Sequence, residues 1–325
     1  MATPRIALVG AGSMGQNHAR VIAGSLAAEL ALVVDPSEQA GRAVADRHGA
    51  RWAADLDALD GVDAVVVAAS TEHHYTIAKD VIEAGLPLLV EKPVCPSLEQ
   101  TEEILDASRR ADVPVMCGLL ERYNAAVMVA LSMVEQPYLI RAERHSPYAP
   151  RIRTGVAWDL LVHDVDLVSR FFGNADPTAL AVEVGHYNPS SAPGAEDVIE
   201  TSMRFESGGI ATVSASRIGQ RKVRTLVIQE LDRMIEVDLL RRGVTAYRHT
   251  TIEEARDGGG PGFRQATEME VPEIVGAEPL VTQLKRFVDL VEGRVDAEEE
   301  RASILPSHRI VSRALSTSAR AGVTV

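Results

Sequence analysis

A chain of 325 residues with 33 lysines and arginines against 46 aspartates and glutamates carries a formal charge of −13. This disfavours nucleic acid partners, and no basic cluster offsets it. Hydrophobic residues at 46% and charged residues at 24% are a globular composition, and the length exceeds one ordinary core, so two domains are expected.

Cys95 and Cys117 are too few for a disulfide framework or a zinc site and fit a reducing cytoplasm. The first strand pattern begins almost at Met1, which leaves no room for a cleavable leader, and no apolar stretch is long enough to span a bilayer. A cytoplasmic protein is expected.

Residues 5–9 read as a short buried strand and 17–22 as a helix, joined by Gly10-Ala11-Gly12-Ser13-Met14-Gly15. In that order, Gly10 allows a tight turn, Gly12 lets backbone approach a pyrophosphate, and Gly15 lets helix pack on strand. A second strand at 30–34 ends in Asp35, twenty positions beyond Gly15, where a carboxylate accepts hydrogen bonds from the adenosine ribose hydroxyls. That favours NAD over NADP, because a 2'-phosphate would be repelled there, although Arg42 could reach in from the next helix. The alternative is that Asp35 merely caps the helix at 37–48.

A valine-rich strand at 62–68 leads into Ala69-Ser70-Thr71, a helix at 76–84 closed by Gly85, and a strand at 86–90 that ends in Glu91-Lys92-Pro93. The chain has only four lysines, Lys79, Lys92, Lys222 and Lys285. One kept at the end of this strand points to proton chemistry rather than charge alone. Residues 97–111 form a helix with Ser97 as N-cap and Gln100 completing a capping box, and 113–118 form the last strand of the series. The boundary falls near 118–123, giving a dinucleotide-binding α/β domain over 1–120 and a second domain over 121–325.

Beyond it come a helix at 125–135, a strand at 138–145, the turn-rich Ser146-Pro147-Tyr148-Ala149-Pro150, and a second helix. That helix carries Asp159 and His163, four apart on one face. An imidazole oriented by a carboxylate is a general base suited to neutral pH. A surface pair worth about 0.3 kcal/mol to helix stability is the alternative. Short strands at 179–184, 198–205, 209–216, 225–229, 234–239 and 244–248 follow without helices between them, implying a largely antiparallel sheet. Residues 257–262 read as a loop, 279–292 and 306–319 as closing helices, and 296–301 as a solvated charge run. His73 and His74 lack a third ligand, so no metal is expected.

The glycine loop, Glu91-Lys92-Pro93 and Asp159-Leu160-Leu161-Val162-His163-Asp164 resemble, in order and spacing, the Gfo/Idh/MocA family of NAD(P)-dependent sugar and polyol dehydrogenases. His74-Tyr75, Ala84-Gly85 and Glu121-Arg122-Tyr123-Asn124 extend the resemblance over most of the chain. It implies an α/β Rossmann domain followed by an α+β domain with an open, mostly antiparallel sheet, nicotinamide and substrate meeting between them. It puts Lys92, Asp159 and His163 at the catalytic positions, with His163 as base and Lys92 at the reacting oxygen or with those two roles exchanged. It puts Gly10, Gly12, Ser13, Met14, Gly15, Asp35, Ala69, Ser70, Thr71, His74, Glu91, Lys92 and Arg122 at the cofactor, and it implies a cis Lys92-Pro93 bond. Ser70 departs from the family, where many members have proline.

A narrower resemblance, through 121–124, Ser146-Pro147-Tyr148-Ala149-Pro150-Arg151 and Gly155-Val156, is to the branch containing UDP-N-acetylglucosamine 3-dehydrogenases. It implies a nucleotide sugar whose diphosphate is held by Arg151 and Arg153, helped by Arg144, with Tyr148 at the substrate. The arginines could instead form surface ion pairs. Asp164 and Asp166 are expected to orient Lys92 or cap backbone groups. An inositol or free-sugar dehydrogenase, and a non-catalytic NAD-binding regulatory relative, are the competing functions. An open sheet with one apolar face needs a cover, so a homodimer or homotetramer is expected.

Overall fold

The computed structural model describes residues 3–150, 152–255 and 261–321. The chain divides into two compact units, Met1–Tyr123 with Ala277–Ser312, and Asn124–Gly276 with Arg313–Val325.

The first unit is built on β1 (Arg5–Val9), α1 (Ser13–Ala23), β2 (Glu29–Val34), α2 (Glu38–His48), β3 (Arg51–Ala53), β4 (Ala64–Val67), α3 (Thr71–Glu83), β5 (Leu88–Glu91), α4 (Leu98–Ala111) and β6 (Val115–Gly118). Its six strands lie parallel in the order β3-β2-β1-β4-β5-β6. Nearly every residue of β1, β4, β5 and β6 is buried. Apolar runs without alternation are what strands covered on both faces require. The order reverses between β1 and β4, so the loops after those two strands, Gly10 onward and Ala68 onward, flank the crevice where such sheets bind ligands. The three-residue β3 escaped the sequence reading because it is too short to show a period.

The second unit holds α5 (Ala125–Met133), β7 (Leu139–His145), α6 (Val162–Phe171), β8 (Ala179–Gly185), β9 (Val198–Arg204), β10 (Ile210–Ser216), β11 (Val223–Gln229), β12 (Met234–Asp238), β13 (Gly243–Ala255) and β14 (Pro261–Glu270). They form one sheet in the order β14-β13-β12-β11-β7-β10-β9-β8, antiparallel except where β10 runs parallel to β7. Along β7, Ile140, Ala142 and Arg144 are buried while Arg141 and Glu143 are exposed, the period of a sheet covered on one face. α6 packs on β7 and β10, and α5 on β12 and β13.

Three expectations are corrected. The expected strand at 244–248 is the start of the thirteen-residue β13, and its partner β14 begins at Pro261, within the segment read as a loop. Residues 257–260 of that segment lie outside the described residues. The second domain does not run unbroken to 325, because α7 (Pro279–Val291), α8 (Ala297–Ala302) and the first part of α9 (Leu305–Ala321) fall within 277–312 of the first unit. Leu280, Leu284, Phe287, Val288 and Leu290 join the core made by Ile6, Leu8, Ala19 and Ile22. The run at 296–301 is likewise structural: Asp296 caps α8 by accepting from the N–H groups of Glu298 and Glu299. Glu300 and Arg301 are buried, Glu300 accepting from Arg286 at 3.0 Å and Arg301 donating to Ser108 at 2.8 Å.

Candidate active site

Residues expected at the site fall in both units, and the glycine loop is the most constrained of them in the first. Gly10 has φ of +100°, and a Cβ there would stand 2.7 Å from the Ala68 carbonyl and the Ala69 nitrogen. At Gly15 a Cβ would drive into the carbonyl oxygen of Gly10. Gly12 differs: a Cβ there would meet nothing within 4 Å. It is the N-cap of α1, and no side chain bonds the helix's first N–H groups. Open space over uncapped donors at a helix N-terminus is a cradle that fits a dinucleotide pyrophosphate. Ser13 and Met14 form the first helical turn beneath it.

Asp35 buttresses this loop. Its carboxylate accepts from Ala11 N at 2.7 Å and from Ser37 N at 2.8 Å. The N-cap of α2 is Ser37, which accepts from Ala40 N, so capping is not the role of Asp35. Trp52, which sequence reading passed over, donates its indole N–H to the Asp35 carbonyl at 3.2 Å and lies where any side chain at Gly41 would be. Arg42 pairs with Glu38 at 2.8 Å and stacks over the Trp52 ring at 4.6 Å.

After β4, Ala69 and Ser70 lead into α3, with Ser70 as its N-cap and Thr71 its first residue. His74 lies buried with Nε2 at 3.0 Å from the Ala69 carbonyl and Nδ1 at 2.9 Å from that of Pro93. It thus ties the loop after β4 to the segment that bears Lys92. The Lys92-Pro93 bond is cis. Glu91, assigned to the cofactor from sequence, is buried and bonded to His18 at 2.8 Å. Arg122, assigned there too, is buried and donates to Ser303 Oγ and to the Ser303 carbonyl, each at 2.8 Å. Burial pushes the Cys95 thiol up to about 12, which makes it inert rather than nucleophilic.

In the second unit Asp159 and His163 are both half-buried. The segment is not a plain α-helix: Ala157–Leu161 winds as a π turn before α6. Wide turns of this kind are frequent at functional sites. Glu196, another residue missed from sequence, seats the turn. Its carbonyl accepts from Val156 N at 3.1 Å and its carboxylate from Ala157 N at 2.7 Å, and any side chain at Gly155 would collide with that carboxylate.

Asp164 is 0% exposed and takes a bidentate pair from Arg144, at 2.7 and 2.9 Å. Arg144 is therefore not a surface arginine available to a diphosphate, a correction that the alternation along β7 could have supplied. Asp166 is also buried. Arg153 is exposed, and Arg151 lies outside the described residues. Tyr148 donates to the Ser190 carbonyl at 2.6 Å, joining its loop to the 186–197 segment. That segment lines an open cavity of about 520 Å³ that includes Tyr187, Asn188, Ser191 and Asp197.

Among the described residues no group of three or more His, Cys, Asp or Glu is placed to hold a metal ion. No described helix is long and apolar enough to cross a membrane.

A doubly wound sheet with an open glycine cradle and an acidic residue after β2 defines a dinucleotide-binding domain. Residues 4–119 match the family model described as an oxidoreductase family with an NAD-binding Rossmann fold, and residues 128–231 match the Gfo/Idh/MocA C-terminal domain. The chain belongs to the Gfo/Idh/MocA family of NAD-dependent oxidoreductases. It is 26% identical over 290 residues, 88% of each chain, to a UDP-N-acetylglucosamine 3-dehydrogenase of Acidithiobacillus ferrooxidans. It is 27% identical over 224 residues to an inositol 2-dehydrogenase of Corynebacterium glutamicum, 64% of this chain and 66% of that one. A solved structure of the Acidithiobacillus ferrooxidans enzyme GnnA superposes with a TM-score of 0.83 at 24% identity, covering 98% of this chain and 99% of that one. An Agrobacterium radiobacter oxidoreductase in complex with NAD+, L-tartaric acid and magnesium also gives 0.83, at 17% identity and with 99% and 98% covered. At these identities the structures speak for the fold.

Proposed function

We propose that this protein oxidises a secondary hydroxyl of a sugar, specifically the 3-hydroxyl of a UDP-N-acetylhexosamine. What carries the reading is the similarity to the UDP-N-acetylglucosamine 3-dehydrogenase over 88% of both chains, against about two thirds for the inositol enzyme. Bound along the Gly12 cradle and Asp35, NAD supplies the acceptor for the hydride that leaves the carbinol carbon. His163 takes the hydroxyl proton as general base, and Asp159 orients that imidazole or binds a neighbouring hydroxyl. Lys92 donates a hydrogen bond to the reacting oxygen and stabilises the negative charge that develops there. The products are a 3-keto sugar, a reduced nicotinamide and a proton. Tyr148, Arg151 and Arg153 bind the nucleotide-sugar portion, the arginines by charge-assisted bonds to the diphosphate.

The test is nicotinamide absorbance with purified protein, NAD and a panel of UDP-sugars, free hexoses and inositols. Reduction by a UDP-N-acetylhexosamine is expected, and turnover confined to free polyols would overturn the substrate. Lys92→Met is expected to bind NAD normally and lose turnover, and near-wild-type turnover in it would remove Lys92 from the chemistry.

An inositol or free-sugar dehydrogenase is the second reading, favoured by the inositol 2-dehydrogenase relatives and by the withdrawal of Arg144 from the diphosphate. Activity unchanged by loss of Arg151 and Arg153 would select it. NAD binding with silence across the whole panel would select the non-catalytic reading. Self-association as a dimer or tetramer through the open sheet face completes the proposal, and sedimentation velocity tests it.

A further inference from the structure

The segment that carries Lys92 is held at Glu91, Pro93 and Val94 by three buried histidines from three different helices. His18 of α1 reaches Glu91 Oε1 at 2.8 Å, His74 of α3 lies 2.9 Å from the Pro93 carbonyl, and His308 of α9 accepts the Val94 N–H at 3.2 Å. None is more than 4% exposed. His74 and His308 grip backbone, whereas His18 acts on a side chain, and that side chain continues the chain of contacts. The second oxygen of Glu91 accepts the backbone N–H of Lys92 at 3.3 Å.

The carboxylate lies against the backbone of the neighbouring strand. Gly118 stands beside Glu91 in the β5–β6 register, and a Cβ at Gly118 would come within 2.9 Å of Glu91 Cδ and Oε2. The slot for this carboxylate therefore exists because position 118 has no side chain. Carboxylate oxygens only accept, so Nε2 of His18 carries the proton of their bond. Without that donor a buried oxygen is unsatisfied, and the carboxylate gains by leaving the slot and releasing the Lys92 N–H.

We propose that His18 is a positioning residue which, through Glu91 in the slot over Gly118, sets the direction of the Lys92 side chain for proton and oxygen chemistry. The proposal rests on the reading of Lys92 as the group that touches the reacting oxygen. It places a determinant of turnover on α1, the helix whose N-terminus forms the pyrophosphate cradle.

The experiment uses a lysine 13Cε-labelled protein, whose spectrum carries four lysine signals, from Lys79, Lys92, Lys222 and Lys285. Lys92→Met identifies the Lys92 signal by its loss. In His18→Leu the Lys92 signal and its pH titration are expected to move while the other three stay. In His18→Gln, whose amide still donates to Glu91, they are expected to return to wild type. In parallel, kcat falls by roughly tenfold or more in His18→Leu with the NAD Kd within about twofold, and recovers in His18→Gln.

A Lys92 signal unchanged in His18→Leu would overturn the proposal. So would movement of all four signals with loss of NAD binding, which is the signature of a merely structural contact. His18→Asn, too short to reach Glu91, serves the same comparison should the leucine variant fail to fold. Wild-type protein inactive on every sugar would sink the proposed function, and the spectra would still decide the positioning.

Discussion

Alanine at Gly12 and alanine at Gly15 add the same methyl group to the same loop, with opposite expected consequences. At Gly15 the new Cβ would overlap the Gly10 carbonyl oxygen and stand 2.9 Å from its carbon, with Leu8 Cδ2 at 4.0 Å. The obstacle is backbone held by β1, so the helix must move off the strand. Overpacking of this kind costs about 1–3 kcal/mol, which for a unit of this size lowers Tm by roughly 2–4 °C per kcal/mol. At Gly12, φ of −69° and ψ of −167° suit alanine, and nothing lies within 4 Å. The entropy removed from the unfolded chain, about 0.4–1 kcal/mol, offsets the poorer N-cap, about 0.5–1 kcal/mol. Tm should therefore stay within roughly 2 °C of wild type. The methyl group nevertheless fills the space over the helix donors, and NAD affinity should fall by about tenfold or more, or ~1.4 kcal/mol. Calorimetric melting without ligand and NAD titration of both variants measure these effects. Wild-type NAD affinity in Gly12→Ala would refute the pyrophosphate placement, and a wild-type Tm in Gly15→Ala would refute the packing argument.

Asp35→Ser should raise the ratio of NADP to NAD kcat/KM by about tenfold, since a like-charge clash with a 2'-phosphate is removed; an unchanged ratio would assign the carboxylate to loop support through Ala11 alone. Asp164→Ala leaves the buried Arg144 guanidinium without its bidentate carboxylate and should cost about 3–5 kcal/mol in urea unfolding. The double replacement Arg144→Met with Asp164→Leu should recover most of that loss, and a double variant as unstable as the single one would contradict the argument. Cys95, with its thiol raised to about 12 by burial, stays protonated at pH 8 and should resist iodoacetamide in the folded protein and react once it is unfolded. Rapid labelling of Cys95 in the native state would show that the site opens.

Local features were legible because their physics is local. The glycine loop, the apolar runs that became β1, β4 and β5, and Asp35 at the end of β2 are each specified within a few residues. Lys92 was placed by the strand before it. Other signals were present but unread: His18 shares the buried face of α1 with Gly15, Ala19 and Ile22, and Arg144 falls on the inward phase of β7. The N-cap at Ser97 was readable and accepts from Gln100 N as a cap should.

What sequence by itself determined was the class of each unit, the cofactor and the short motifs, because periodicity, turn chemistry and spacing act along the chain. Only the tertiary structure decided which distant segments complete them. An amphipathic helix such as α7 announces an apolar face without saying what covers it, so 277–312 could not be assigned to the first unit from its pattern. Nor does a histidine's position disclose its partner: His18, His74 and His308 meet residues 91–94 across separations of 19 to 214 positions. The same holds for Glu196 beneath the π turn and for Arg144 against Asp164. Burial makes polar groups find partners wherever the fold brings them, and that pairing is a property of three dimensions.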